Sequence, residues 1–353
     1  PCPIVARGQP RKPLVLTLGW LVLPLAALLL VQPQTAARAP PGPRPPASLR
    51  GRRTMPPRTL LLFQTHQLDA GLERAFRRLA RQAPEHFDCR VLMHLPPGAK
   101  VPPRLARVPH HLVRTDEIRA LPYPRKVAAQ DWTGRGWELW GGGHCDLIPL
   151  HLLRGAKFDH AWIVEYDVAF TGHWRRFFDA FAGSDADLVS AILRTREDDP
   201  HWVCWPSLQG GQVAAEHMTA HFPPIWRVSR RLVRAMDAAY AAGFNGHLEA
   251  SWPSLARALG MPVEDFGGEG RFVRPGNRRR FYTASPSTAV QFYMAPGTFF
   301  ARPAMYRAGR RPDTLWHPVK PWRWRAELRA GLQEWRSCPI AWCRSAMIVG
   351  GLG

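Results

Sequence analysis

The chain has 353 residues, 46% of them hydrophobic and 21% charged. That is enough apolar material for one large domain or two small ones, and it excludes a chain disordered throughout. The net charge is +21, carried mostly by Arg; the basic residues are spread along the chain rather than massed, so a composition bias explains them as well as a polyanionic partner does, and no nucleic-acid-binding module is recognisable.

The six cysteines form no Cys-x-x-Cys pair, and a chain of this length does not need a disulfide framework. Most are expected to be reduced core thiols; Cys338 and Cys343 could bridge locally in an exported protein. Leu14–Val31 is apolar apart from Thr17 and Gly19, marginal in length for a bilayer span. Residues 1–32 read as a membrane anchor, as a signal cleaved near Ala37-Arg38-Ala39, or as sequence upstream of a true start at Met55. The first reading gives membrane association through 14–31, the last a cytoplasmic protein. Residues 33–58, rich in Pro, Ala and Arg, read as a linker, 59–322 as the catalytic domain and 323–353 as a tail.

Thr59–Thr65 is a continuous apolar run, as in a strand buried on both faces. Asp69–Gln82 carries Leu72, Phe76 and Leu79 at helical spacing and is stopped by Pro84, and Cys89–Leu95 reads as the next strand. This β-α-β opening predicts an α/β domain: a mostly parallel open sheet flanked by helices, with ligands beyond the carboxyl ends of its strands. Residues 96–143 read mainly as loops. Then follow a helix over His144–Arg154, a strand over Phe158–Val164, a helix over Trp174–Phe181 and a strand over Asp187–Leu193. Residues 196–223 read as loop. Ser229–Ala242 and Leu248–Leu259 read as helices, the second closed by Gly260, and Pro262–Phe266 as a short strand.

The chemistry concentrates after the strand that runs into Glu165-Tyr166-Asp167. Residues i and i+2 of an extended chain point to one side, so the two carboxylates can share a hard cation, Mg²⁺ or Mn²⁺, together with diphosphate oxygens. The plainer reading is a solvated acidic turn, since acid-x-acid is common by chance. Asp265–Gly270 is a Gly-rich acidic turn that could line an acceptor side or be an ordinary flexible loop, and Asn277–Arg280 is a basic cluster beside it in sequence. Cys204, His217 and His221 have half of a zinc-finger spacing but lack the other half. Gly141-Gly142-Gly143 lacks the spacing of a dinucleotide loop.

Glu165-Tyr166-Asp167-Val168, followed by Thr171-Gly172-His173-Trp174, resembles the Asp-x-Asp region of GT-A-type glycosyltransferases. More closely it is similar to a poorly characterised glycosyltransferase-like family of bacteria and fungi, over about Thr59 to His317. Glu165 stands where the general pattern has Asp. The resemblance implies a metal-dependent glycosyltransferase with a nucleotide-sugar donor and a glycan or other hydroxyl acceptor. It implies Gln64, Thr65 and His66 at the nucleotide, Glu249 as general base, His317 returning as a third metal ligand and Lys320 at the diphosphate. A basic nucleic-acid-binding protein and another metal-dependent nucleotide-processing α/β enzyme are the alternatives.

Overall fold

The computed structural model describes residues 58–128, 143–211, 213–284, 297–300, 304–323, 325–326 and 328–329. The apolar segment 14–31, nearly all of the linker and Cys338 and Cys343 lie outside them, as do Trp132, Trp137 and Trp140. No described helix is long and apolar enough to cross a membrane.

The expected α/β architecture is present. The opening unit is β1 (Thr59–Thr65), α1 (Ala70–Gln82) and β2 (Phe87–Leu95). Asp69 caps α1, its carboxylate accepting from the Leu72 N–H at 2.8 Å, which satisfies one of the N–H groups that a helix start leaves without a partner. After β3 (His110–Arg114) come α2 (Thr115–Arg119), α3 (Pro124–Ala128) and α4 (Leu147–Leu153). The chain then forms β4 (His160–Glu165), β5 (Ala169–Phe170), α5 (Trp174–Asp179) and β6 (Leu188–Thr195). It continues through β7 (Thr219–Ser229), α6 (Arg230–Ala241), α7 (Leu248–Ala258), β8 (Val263–Asp265) and β9 (Leu315–Trp316).

The main sheet has the order β3-β2-β1-β4-β7-β6-β8, and only β7 runs antiparallel to its neighbours. Side chains alternate across it with the period of two that a pleated strand imposes. Leu61, Phe63, Trp162 and Val164 face one apolar layer with α1 and α5; Leu60, Leu62, Ala161 and Ile163 face the other with α4, α6 and α7.

Two expectations are corrected here. Residues 96–143 are not loop throughout where described: they contain β3, α2 and α3, each five residues long and too short to display a periodicity. Residues 196–223 are not all loop, because β7 begins at Thr219. Pro223 and Pro224 argue against a strand, since neither can donate to a ladder. The structure places them in a gap: β7 pairs with β4 only from Ile225 onward, and its pairing with β6 jumps from Phe222 to Arg227.

Trp162 sits at the centre of the first layer, its ring 5.4 Å from Phe177, 5.3 Å from Phe178 and stacked 6.0 Å from Phe266. Trp162→Ala is expected to lower unfolding stability by about 3–5 kcal/mol in urea denaturation, because the surrounding rings cannot close the void. A loss below about 1 kcal/mol would mean that this layer is not the packed support of β4.

Candidate active site

β4, buried along its length, delivers Glu165 and Asp167 to the carboxyl edge of the sheet. The third member arrives from far along the chain. β9 pairs antiparallel with β5, Leu315 opposite Phe170, and the Val319 N–H donates to the Asp167 carbonyl at 2.8 Å. This register folds His317 back over the acidic pair.

His317 Nε2 lies 3.5 Å from an Asp167 carboxylate oxygen and 3.8 Å from one of Glu165. One ligand atom from each of the three residues falls within 4.8 Å of the others, the one such group among the described residues. His317 Nδ1 is 2.6 Å from the Phe300 carbonyl, which can only accept, so Nδ1 carries a proton and Nε2 is the ring nitrogen that faces the carboxylates. Asp167 Oδ1 is buried without a hydrogen-bond partner. With Nε2 deprotonated, as metal ligation requires, two carboxylate oxygens and an imidazole nitrogen form a donor set that fits a hard divalent cation.

Burial works to raise the Asp167 pKa, but His317 and Lys320 more than reverse it and hold the carboxyl well below its ordinary range. Lys320 Nζ lies 3.1 Å from Asp167. Glu165 is pushed up, first by burial and then by the neighbouring Asp167 charge. A cation would stabilise both in ionised form.

These residues line a cleft of about 590 Å³. Glu249 lines it too, at the first residues of α7, its backbone N–H donating to His247 Nδ1 at 3.3 Å. Burial pushes the Glu249 carboxyl up from 4.5 to about 7, with Arg194 pulling the other way. His66 also lines the cleft, its pKa depressed to about 4 by burial and then by Lys320, so it is a neutral hydrogen-bonding group. Gln64 and Thr65 are not among the residues that line the cleft. Gln64 Nε2 donates to the Cys145 carbonyl at 3.4 Å, and the Thr65 hydroxyl donates to the Gln67 carbonyl at 2.6 Å; both are buried and secure the chain below the cleft.

Several cleft residues were not anticipated. Tyr166, read only as the spacer between two acids, stacks at 6.4 Å on Trp322, with Lys320 Nζ 5.7 Å from its ring centre and His66 edge-on at 5.0 Å. His247 packs so closely on Gly143 that a Cβ there would lie 1.9 Å from the imidazole, and Gly143 also has a φ of +75°. That glycine is fixed by both conformation and space. Cys145 lines the cleft, but burial and then Glu165 hold its thiol well above its ordinary pKa, so it is no nucleophile. His221 of the zinc-like spacing is buried against the Ser190 hydroxyl at 2.8 Å and the Leu248 carbonyl at 3.3 Å.

No family model matches the sequence, and no curated protein is significantly similar to it. Solved structures do align. The galactosyltransferase LgtC, in complex with donor and acceptor sugar analogues, gives a TM-score of 0.34 at 10% identity over 59% of this chain and 73% of that one. The 2-C-methyl-D-erythritol 4-phosphate cytidylyltransferase from Thermus thermophilus gives 0.32 at 18% over 62% and 93%. The mannosyltransferase PcManGT from Pyrobaculum calidifontis, in complex with GDP-Man and Mn²⁺, gives 0.30 at 13% over 84% and 69%. At these scores the likeness carries no functional weight, and the finer resemblance to the Glu-Tyr-Asp family is matched by neither sequence comparison.

Two predictions test the site. Mn²⁺ titrated calorimetrically should bind once per chain, and Asp167→Asn should weaken it by about 10- to 100-fold; an unchanged affinity would remove the cation from the site. Glu249 also links stability to pH. Its pKa is about 7 folded against 4.5 ordinarily, so between those values the unfolded chain releases the proton more readily and stability falls as pH rises. Glu249→Gln should therefore melt with the wild type at pH 4 and above it at pH 8; an equal shift at both would show that burial does not perturb this carboxyl.

Proposed function

We propose that the protein is a metal-dependent glycosyltransferase that moves a sugar from a nucleotide-sugar donor to a hydroxyl of a glycan or other acceptor. The convergence of Glu165, Asp167 and His317 Nε2 in the cleft that also holds Glu249 carries this reading. The sequence resemblance to GT-A-type enzymes points the same way.

Glu165, Asp167 and His317 would hold Mn²⁺ or Mg²⁺, and such a cation offsets the charge that builds on a departing nucleoside diphosphate. Lys320, on the cleft side of Asp167, adds a positive charge for the diphosphate. Tyr166 and Trp322 give an aromatic surface for the nucleotide, with His66 beside Tyr166 as a neutral hydrogen-bonding group. Glu249 is the general base. It takes the proton of the acceptor hydroxyl as that oxygen bonds to the anomeric carbon, while the bond from that carbon to the diphosphate breaks. A pKa near 7 suits this role, because the carboxyl is then ionised often enough to accept a proton and basic enough to drive the transfer. Direct attack of this kind inverts the anomeric centre.

A screen of nucleotide sugars with and without Mn²⁺ tests the reading. Transfer or donor hydrolysis should require the metal. The kcat/KM should rise with pH through about 7, and Glu249→Gln should remove that limb and lower kcat by about 10²- to 10⁴-fold. Metal-dependent release of pyrophosphate from nucleoside triphosphates, with no turnover of nucleotide sugars, would instead make the protein a nucleotidyltransferase.

A further inference from the structure

A second cavity, of about 730 Å³, opens on the same carboxyl edge of the sheet, beyond the ends of β6 and β8. Three rings part it from the first cleft: Phe222 lines the first, Tyr282 lines the second, and Phe299 lies between, 5.5 Å from one and 5.7 Å from the other. A further connection runs through Arg194, which lines the second cavity and lies over the Trp202 ring at 4.9 Å; Trp202 in turn meets His247 of the first cleft at 6.2 Å.

Four guanidinium groups line this cavity, from Arg194, Arg271, Arg279 and Arg311, against the carboxylates of Asp198, Asp265 and Glu269. Asp265 is occupied: it accepts from the N–H groups of Leu193, Gly267 and Gly268 and from the Tyr282 hydroxyl. Arg271 pairs with Asp198 at 2.9 Å, and Arg279 pairs with Glu269. Arg311 donates to the Arg279 carbonyl, which leaves its charge uncompensated by that bond. Arg194 is 6% exposed; its Nε donates to Asp199 and its Nη1 to the Ile192 carbonyl, while its Nη2 is buried with no acceptor.

A buried guanidinium nitrogen without an acceptor is costly, and it is held here by a locally built backbone. β6 is irregular on both sides of Ala191, and Ile192 sits at a φ of 54°, where a β-branched residue is rare. The Tyr282 hydroxyl and Asp265 fix this bend from the other side of the cavity. The bend sends Arg194 into the wall.

We propose that the second cavity is an anion subsite for the acceptor, where Arg194 and Arg311 take a phosphate or carboxylate group on the sugar that receives transfer. The acceptor role rests on the glycosyltransferase reading; the anion site does not. Guanidinium forks match either group, and the position beside the Glu249 cleft would let one acceptor reach both.

The test uses the full chain in EDTA at low salt, titrated calorimetrically with inorganic phosphate, glucose 6-phosphate, glucuronate and neutral methyl glucoside. The expected result is saturable one-to-one binding of phosphate and of at least one anionic sugar, the sugar tighter than phosphate, with no binding of methyl glucoside. The stronger of the two anionic sugars identifies the group. Arg311→Ala should weaken the binding by at least about tenfold, and Arg194→Gln likewise if it folds by circular dichroism; Arg311 is exposed, so its variant decides if the other does not fold. Asp167→Ala should leave phosphate binding in place. Absence of saturable binding, no effect of Arg311→Ala, loss in Asp167→Ala, or no gain from the sugar would each overturn the proposal. Mn²⁺-dependent nucleotide binding, measured separately, fails only if the metal cleft is misread.

Discussion

His317 Nδ1 faces the Phe300 carbonyl at 2.6 Å, and that bond decides the chemistry of the cleft. It engages the Nδ1 proton and turns Nε2 towards Asp167 and Glu165. Two carboxylates and an imidazole nitrogen then share a small volume, a donor set that fits a hard cation once Nε2 is deprotonated. The bond depends on long-range folding: the His317 N–H donates to the Thr298 carbonyl at 2.9 Å, and β9 docks on β5 directly after the acidic strand.

The sheet explains why the two cavities share an edge. β1, β4, β6 and β8 run in one direction, so their carboxyl ends deliver His66, Glu165 and Asp167, Arg194 and Asp265 to one side. β7 runs the other way, so its amino-terminal end reaches the same edge and supplies Phe222, Pro223 and Pro224 to the first cleft. The prolines leave the strand unpaired to either neighbour there, while α7, which carries Glu249, packs on β7.

The parts of this arrangement that depend on local pattern were legible in the sequence. β1, α1 and β4 follow from an apolar run, a helical stripe with its Asp69 cap, and an apolar strand closing on two acids. The acid pair and His317 were readable as residue types, although only the β5–β9 pairing brings them together. What was not legible depended on distant partners. β7 hides because two prolines mask a strand whose pairing partners lie elsewhere in the chain. Gln64 and Thr65 had suitable chemistry at a strand end, yet they bond to backbone carbonyls that no local pattern reveals. Tyr166 gains its importance from Trp322, which lies far along the chain.

The Arg excess can be read the same way, by asking what each guanidinium touches. Arg227, buried beneath α5, donates to the carbonyls of Phe181, Ser184 and Ala186 at 2.8–3.0 Å and so ties a turn that lacks its own ladder. Arg78 does the same for the carbonyls of Phe170 and Gly172 beside the acidic strand. Such arginines act as donors to irregular backbone, a use that needs no polyanionic partner and suits a planar fork better than a lysine. Arg194 and Arg227 each keep one buried nitrogen without an acceptor, Nη2 in the first and Nε in the second, but of the two it is Arg194 that lines the second cavity. At the cavity wall the missing acceptor can come from something other than the protein, whereas Arg227 is enclosed by the backbone it holds.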